Sequence, residues 1–417
     1  HGAVLPGPSG PVKSPPTMSS APLSPTASYR CKIALLAICQ ALALSCTSMS
    51  IVATPIAAYS IADAKWLSTL PIALQHLGVM ASTFPASFLM RRFGRKNGFI
   101  VGACVGMGGA ALAAWAMFTA SFLLLSVGLF FVGSFLGHAQ YYRFAAAEVA
   151  PDSYRARAIS WVLAGGVLAA IIGPNLANHS RDLFAPVLFA GTYLAMIGLL
   201  ALSVAVLVFL DVPRPSKAEI GGPQRPLLEI MAQPVFVVAA GGAILSYAVM
   251  SLLMTATPFA MTACNYPFSD AAFVISVHVL GMFVPSFFSG WLITRFGVLN
   301  VMLAGIALLA VSVGINLHGI TFDHFWIGLT LLGVGWNFLF TGGTTLVTTT
   351  YTPAERAKTQ AANDFMVFGT TGLASLSAGI LHELVGWSVL NVLSLPMIAL
   401  ALLAVLSLRL RTRAAIA

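Results

Sequence analysis

Along most of its length this chain runs about twenty residues at a time with almost no charge. Stretches such as "FLLLSVGLFFVGSFLGHA" (122–139) and "VMLAGIALLAVSVGINL" (301–317) are long enough, as helices, to cross a hydrocarbon layer ~30 Å thick. Inside such a layer no water reaches the backbone, so a spanning chain must be helical or a closed barrel. No ten-residue alternation of apolar and polar positions is present, which excludes the barrel. Charged residues make up 8% of the chain, against about a quarter in a soluble domain. The expected fold is an all-α membrane protein that lies in, and is solvated by, a lipid bilayer.

Twelve helices are expected. Helices 1 to 6 fall near 33–56, 67–90, 98–118, 121–146, 157–178 and 184–210. Helices 7 to 12 fall near 234–258, 271–293, 299–317, 324–349, 358–381 and 387–408. Between them, Pro213, Pro215, Gly221, Gly222, Pro223 and Pro226 break any helix and mark residues 211–232 as a cytoplasmic linker. The Pro-rich residues 1–28 read as a disordered tail, leaving six-helix bundles at 29–210 and 233–412. Met18 offers a more ordinary start than His1. The first apolar run is full length without a clear cleavage site, and reads as a retained span.

Of 21 Lys and Arg, this topology leaves only Lys65 and Arg181 in outer loops, which places both termini in the cytoplasm of a multi-pass inner-membrane protein. The formal charge of +9 is accounted for by that bias, so no nucleic-acid partner is expected. The five cysteines (31, 39, 46, 104 and 264) form no C-x-x-C pair, and neither a disulfide framework nor a metal or cofactor site is expected.

The halves repeat each other. "SFLMRRFGRK" from Ser87 is echoed by "GWLITRFGVL" from Gly290, so that Arg92, Phe93 and Gly94 match Arg295, Phe296 and Gly297, each 203 residues later. Pro151 answers Pro353 at an offset of 202, and Gly166 answers Gly369 at 203. A matched tripeptide with concordant offsets elsewhere indicates duplication of a six-helix unit.

With these residues in place, the chain resembles the major facilitator superfamily of transporters, of bacterial type, over about residues 30–412. The family's helix 2–3 signature, G-x-x-x-D-[RK]-x-G-[RK]-[RK], is met at Arg92, Gly94, Arg95 and Lys96, with Ser87 for the first Gly and Arg91 for the Asp. The second half keeps Gly290, Arg295 and Gly297, with Thr294 at the Asp position. The resemblance implies two pseudo-symmetric bundles and a cytoplasmic gate at this motif. Because Arg91 reverses the Asp charge, the gate must find other anions, and Glu148 and Asp364 are the two placed to serve. Alternatively, the four cations act only as a topology signal. A second signature, the Gly-Pro of proton-coupled exporters in helix 5, is met in part by Gly173 and Pro174 and tilts the direction toward export.

Ionisable groups inside spans are costly and usually functional. Asp364, two turns into helix 11, is the one acidic residue so placed and is a candidate for proton coupling, unless it stays wet at the interface. His76 and His278, 202 apart, are further coupling candidates or neutral hydrogen-bonding groups. The family's cavity-lining helices are 1, 4, 7 and 10. On them Gln40, Gln140, Tyr141, Arg143, Tyr247, Trp336 and Asn337 form a candidate substrate cavity, mildly polar and aromatic. Arg143 suits an anionic group, or else reaches the interface.

The resulting expectation is a secondary transporter, a monomer, moving a small neutral or weakly anionic solute by alternating access with protons. An importer or facilitator of a vitamin, siderophore or organic anion is the alternative, and a non-transporting sensor a more remote one. No phosphate-binding G-x-x-x-x-G-K-[ST] loop is present, and "HELVGW" at 382 lacks the second His of a metal motif, so an enzyme is not expected.

Overall fold

The computed structural model describes residues 25–151, 154–212 and 224–414. Twelve long helices account for almost all of them. In the first half these are α1 (Pro25–Ile61), α2 (Leu70–Phe93), α3 (Arg95–Phe118), α4 (Phe122–Val149), α5 (Arg155–Ser180) and α6 (Ala190–Val208). In the second they are α7 (Pro234–Ala263), α8 (Phe268–Phe283 continued by Ser286–Phe296), α9 (Val298–His318) and α10 (Phe322–Val347). Residues 356–385 form α11 and residues 387–414 form α12, separated at Gly386, whose φ of 76° and ψ of 176° break the helix. The helix begins at Pro25, within the stretch expected to be a tail, while residues 1–24 lie outside the described residues. The linker's middle, 213–223, also lies outside them, and its end forms a short helix, Leu227–Met231.

Two spans are not straight. Helix α8 bends by 41° ahead of Pro285 and Ser286, where proline removes a backbone donor. Helix α4 is interrupted by a turn at Gln140 and Tyr141 between Phe122–Ala139 and Tyr142–Val149. The outer surface is apolar: Trp115, Leu123, Leu373 and Leu403 are all exposed. Exposed tryptophans sit toward both ends of the bundle, Trp66 and Trp115 at one and Trp161 and Trp291 at the other, as at the two interfaces of a bilayer.

Packing follows the duplication. Helices α1 and α5, α2 and α4, and α3 and α6 pair in the first half, as α7 and α11, and α8 and α10 do in the second. Helix α12 joins α9 through Asn316 Nδ2, which donates to Asn391 Oδ1 at 3.0 Å. Between halves, α2 packs on α11 and α5 on α8, two contacts that exchange under the repeat. Without a hydrophobic drive between helices in lipid, small residues set the approach. At Gly133, a Cβ would lie 1.9 Å from the Gln75 carbonyl oxygen of α2, so α2 and α4 touch backbone to backbone.

The repeated Arg-Phe-Gly tripeptide has a conformational reason. Gly94 (φ 90°, ψ 159°) and Gly297 (φ 85°, ψ 146°) each end one helix and start the next in nearly the same conformation. That region is essentially closed to side-chain-bearing residues. Nothing lies within 4 Å of a Cβ built at either position, so the requirement is for backbone freedom rather than space. Gly94→Ala and Gly297→Ala are each expected to cost about 1–3 kcal/mol. Thermal unfolding of the purified variants checks this, and unchanged midpoints would remove the conformational explanation for the repeat.

Candidate functional site

The halves meet on the face opposite the start of α1 and the end of α12. There Thr69 Oγ1 donates to the Leu376 carbonyl at 3.1 Å and accepts from Gly379 N–H at 3.2 Å, both across the α2–α11 contact. Tyr59 of α1 lies 6.0 Å from Phe259 of α7. The Arg181 guanidinium sits 5.1 Å over the Phe268 ring, which Phe189 also meets at 5.5 Å. Polar, aromatic and cation–π contacts together hold this face shut.

Nearer the terminal face, two charges meet between the halves. Arg143 Nη2 of α4 lies 4.0 Å from Asp364 Oδ2 of α11, and the two side chains keep 24% and 27% of their exposure. A charge at membrane depth needs a partner, and each of these has the other. Arg143 lies just past the α4 turn and stacks its guanidinium 4.9 Å over Phe144. Asp364 also accepts from Asn363 Nδ2 at 3.3 Å.

One helical turn beyond Asp364, Phe368 begins an aromatic wall. Its ring is 6.1 Å from Tyr247 of α7, which stands edge-on to both Trp336 and Phe340 of α10 at 5.1 Å. Trp336 and Phe340, four residues apart on one helix face, stack at 5.0 Å with 11° between planes. Phe368, one turn from Asp364 on the same helix, connects this wall to the charge pair.

The structure thus brings together Arg143, Tyr247, Trp336 and Asp364 of the expected residues, and adds Phe340 and Phe368. The other candidates have different surroundings. Asn337 donates to the Met282 carbonyl and to Ser286 Oγ, both at 2.7 Å, so its amide ties α10 to α8 at the bend. Tyr141 donates to the Thr83 carbonyl at 2.9 Å, Gln140 caps the first segment of α4, and Gln40 is buried on α1. His278 donates from Nδ1 to the Leu329 carbonyl at 2.7 Å within its own half. His76 donates from Nδ1 to Ile72 in its own helix at 3.0 Å and lies 3.5 Å from Ser375 Oγ of α11. Gly173 lets α5 approach the Ser45 carbonyl, where a Cβ would be 2.7 Å away, and Pro174 lies inside the same helix.

The cation-rich motif reaches only one of its two expected anions. Arg95 holds Glu148 with Nε at 3.1 Å and Nη2 at 2.5 Å, a forked contact inside the first half rather than across the halves. Asp364 belongs to Arg143 instead. Arg91 and Arg92 lie over Phe88 and Phe93 of their own helix, and Lys96 reaches the Val208 carbonyl. A Cβ built at Gly290 would meet nothing within 4 Å, and Arg295 lies in the last turn of α8. All five cysteines are free thiols.

The second half has no equivalent of the Arg95–Glu148 contact at matching positions; the linker supplies one. Arg225 donates to Glu355 Oε1 from Nε at 2.9 Å and from its own backbone N–H at 2.8 Å, and to Oε2 from Nη2 at 2.7 Å. Thr352 N–H adds a bond at 2.9 Å to this buried carboxylate. The Arg225 guanidinium, aided by the Thr352 amide, holds the Glu355 carboxyl below the usual carboxylate range. A depressed pKa contributes stability that is present above the unfolded value, about 4.3, and is lost as pH falls through it. Glu355→Gln is therefore expected to lower the thermal midpoint at pH 7, with the difference from wild type shrinking below about pH 4. A difference independent of pH would show that the charge is not what matters.

Two six-helix halves related by duplication, with charged and aromatic side chains meeting between them, have the architecture of a membrane transporter. The chain belongs to the Major Facilitator Superfamily, whose family model matches residues 33–243 and 239–416. It is a multi-pass membrane transporter of a small solute and not an enzyme. Among curated proteins it is 43% identical, over 93% of this chain and 98% of the other, to the riboflavin transporter RfnT of Brucella anthropi. It is 28% identical to the uncharacterized MFS-type transporter YddS of Bacillus subtilis, over 79% of this chain and 81% of that one. Among solved structures, the nucleoside transporter NupG matches with a TM-score of 0.66 at 16% identity, over 90% of this chain and 98% of that chain. The transporter FucP in its outward conformation matches with 0.62 at 16% identity, over 91% and 98%. These two likenesses establish the fold.

Proposed function

We propose that this chain transports riboflavin, entering and leaving a site between Arg143–Asp364 and the Tyr247–Trp336–Phe340–Phe368 wall. The observation that carries the reading is that wall: a broad aromatic surface inside a membrane protein whose fixed charges cancel in a pair. Riboflavin is a neutral solute with a flat three-ring system, and such a ring gains most by packing against aromatic faces and edges. The 43% identity to a riboflavin transporter over nearly the whole of both chains points to the same solute. The basic-residue bias supports placing the terminal face in the cytoplasm. The vitamin reading stands ahead of the tilt toward export, because Gly173 sits at a helix-packing contact, which any closely packed bundle requires.

Purified protein in liposomes is expected to exchange internal riboflavin for external labelled riboflavin. Imposing a proton gradient of either sign on the same vesicles reads coupling and direction. Tyr247→Leu removes the central ring of the wall and is expected to weaken riboflavin about 3- to 10-fold, given about 0.5–1.5 kcal/mol per aromatic contact. No riboflavin flux from folded protein would overturn the reading. Unchanged affinity in Tyr247→Leu would move the site elsewhere.

A further inference from the structure

The Arg143–Asp364 pair is incompletely made. Its 4.0 Å separation is beyond hydrogen-bond length, although both side chains lie at membrane depth where such bonds are strongest. Arg143 Nε is buried with no partner among the described residues, as are Asn363 Oδ1 beside Asp364 and Trp336 Nε1 in the wall. Other buried atoms of the bundle, such as Gln75 Oε1 and His278 Nε2, also lack partners, but Arg143 Nε and Asn363 Oδ1 lie at the unclosed charge pair itself, a place for a solute to complete. Arg143 Cζ lies 4.9 Å over the Phe144 ring, and Nη2 is the guanidinium atom that faces Asp364. Donors thus stand on α4 and an ionised acceptor on α11, at the end of the aromatic wall.

Resting on the riboflavin reading, we propose that this pair recognises an imide edge, the N–H flanked by two carbonyls on the pyrimidine-dione ring of the flavin. The imide N–H donates to Asp364, and a neighbouring carbonyl accepts from Arg143. Donor and acceptor on the imide are adjacent, so two hydrogen bonds of about 2.9 Å diverge slightly to reach groups whose own spacing is 4.0 Å. The ring system behind that edge then lies along Phe368, one turn from Asp364, and on toward Tyr247. Such a subsite reads the order of donors and acceptors, not only flatness. It also ties α4 to α11 through the solute, so that loading the site engages both halves at once. An edge without the N–H leaves Asp364 desolvated and unpaired, which is how polar sites reject near-isosteres.

Full-length purified protein is titrated with riboflavin and with riboflavin methylated on the imide nitrogen, following quenching of flavin fluorescence. The methyl compound keeps the rings, the ribityl chain and both carbonyls. It is expected to bind about 10- to 100-fold more weakly, the worth of a hydrogen bond to a charged group. Equal affinity within about twofold overturns the assignment while leaving the riboflavin reading intact. Failure of riboflavin itself to bind overturns both. In Asp364→Asn, riboflavin is expected to weaken and the ratio between the two compounds to fall toward one; a preserved ratio also overturns the assignment. The wild-type comparison needs no variant, so a folding defect in Asp364→Asn cannot obscure it.

Discussion

Water is missing from the interior of a bilayer, and the arrangement of this chain follows from that absence. Every backbone donor must find an acceptor locally, which makes each crossing a helix. Side chains face the same demand. Ser251 bonds Ser375 at 2.6 Å, Asn316 bonds Asn391, and Asn337 bonds the bend of α8, so most polar groups inside the bundle are occupied by protein partners. Arg143 and Asn363 keep unpartnered buried atoms, as do Gln75, His278, Asn316 and Asn337 elsewhere in the bundle, and what sets the first two apart is their place at a charge pair between the halves.

The spans, the duplication and the short Arg-Phe-Gly echo are legible in the amino-acid sequence because each depends on local pattern. A run of apolar residues crosses lipid wherever its neighbours go, and a glycine that must adopt φ near 90° leaves the same mark twice. Partners are another matter. By sequence Asp364 reads as an anion for the motif cations or a coupling group, yet it meets Arg143, and Arg225 finds Glu355 from 130 residues away, distances over which composition carries no signal. Asn337 reads as a solute ligand by residue type, yet the bend at Pro285 exposes a carbonyl, Met282, that claims its amide. Phe340 and Phe368 passed unnoticed because an aromatic residue inside an apolar run has no contrast with its surroundings. Only the stacking geometry separates them from other core phenylalanines.

The two halves have diverged in how they stiffen their terminal face. The first uses Arg95 from the start of α3 to hold Glu148 at the end of α4. At the equivalent of Arg95 the second half has Val298, and a linker residue takes over with Arg225 on Glu355. Lys32 with Asp211 at 3.0 Å anchors the other end of the linker to the first half. Each half is thus braced at its own end of the linker.

The contact of Thr69 with Leu376 and Gly379 has a bearing on how readily the closed face parts. A greasy plug would have to be torn from itself into an aqueous vestibule, with the full penalty of wetting hydrocarbon. At Thr69 a hydroxyl is laid against two peptide groups, beside the Tyr59–Phe259 and Arg181–Phe268 contacts, and water can replace each of its bonds. That part of the seam therefore parts at less cost than an apolar contact of the same extent.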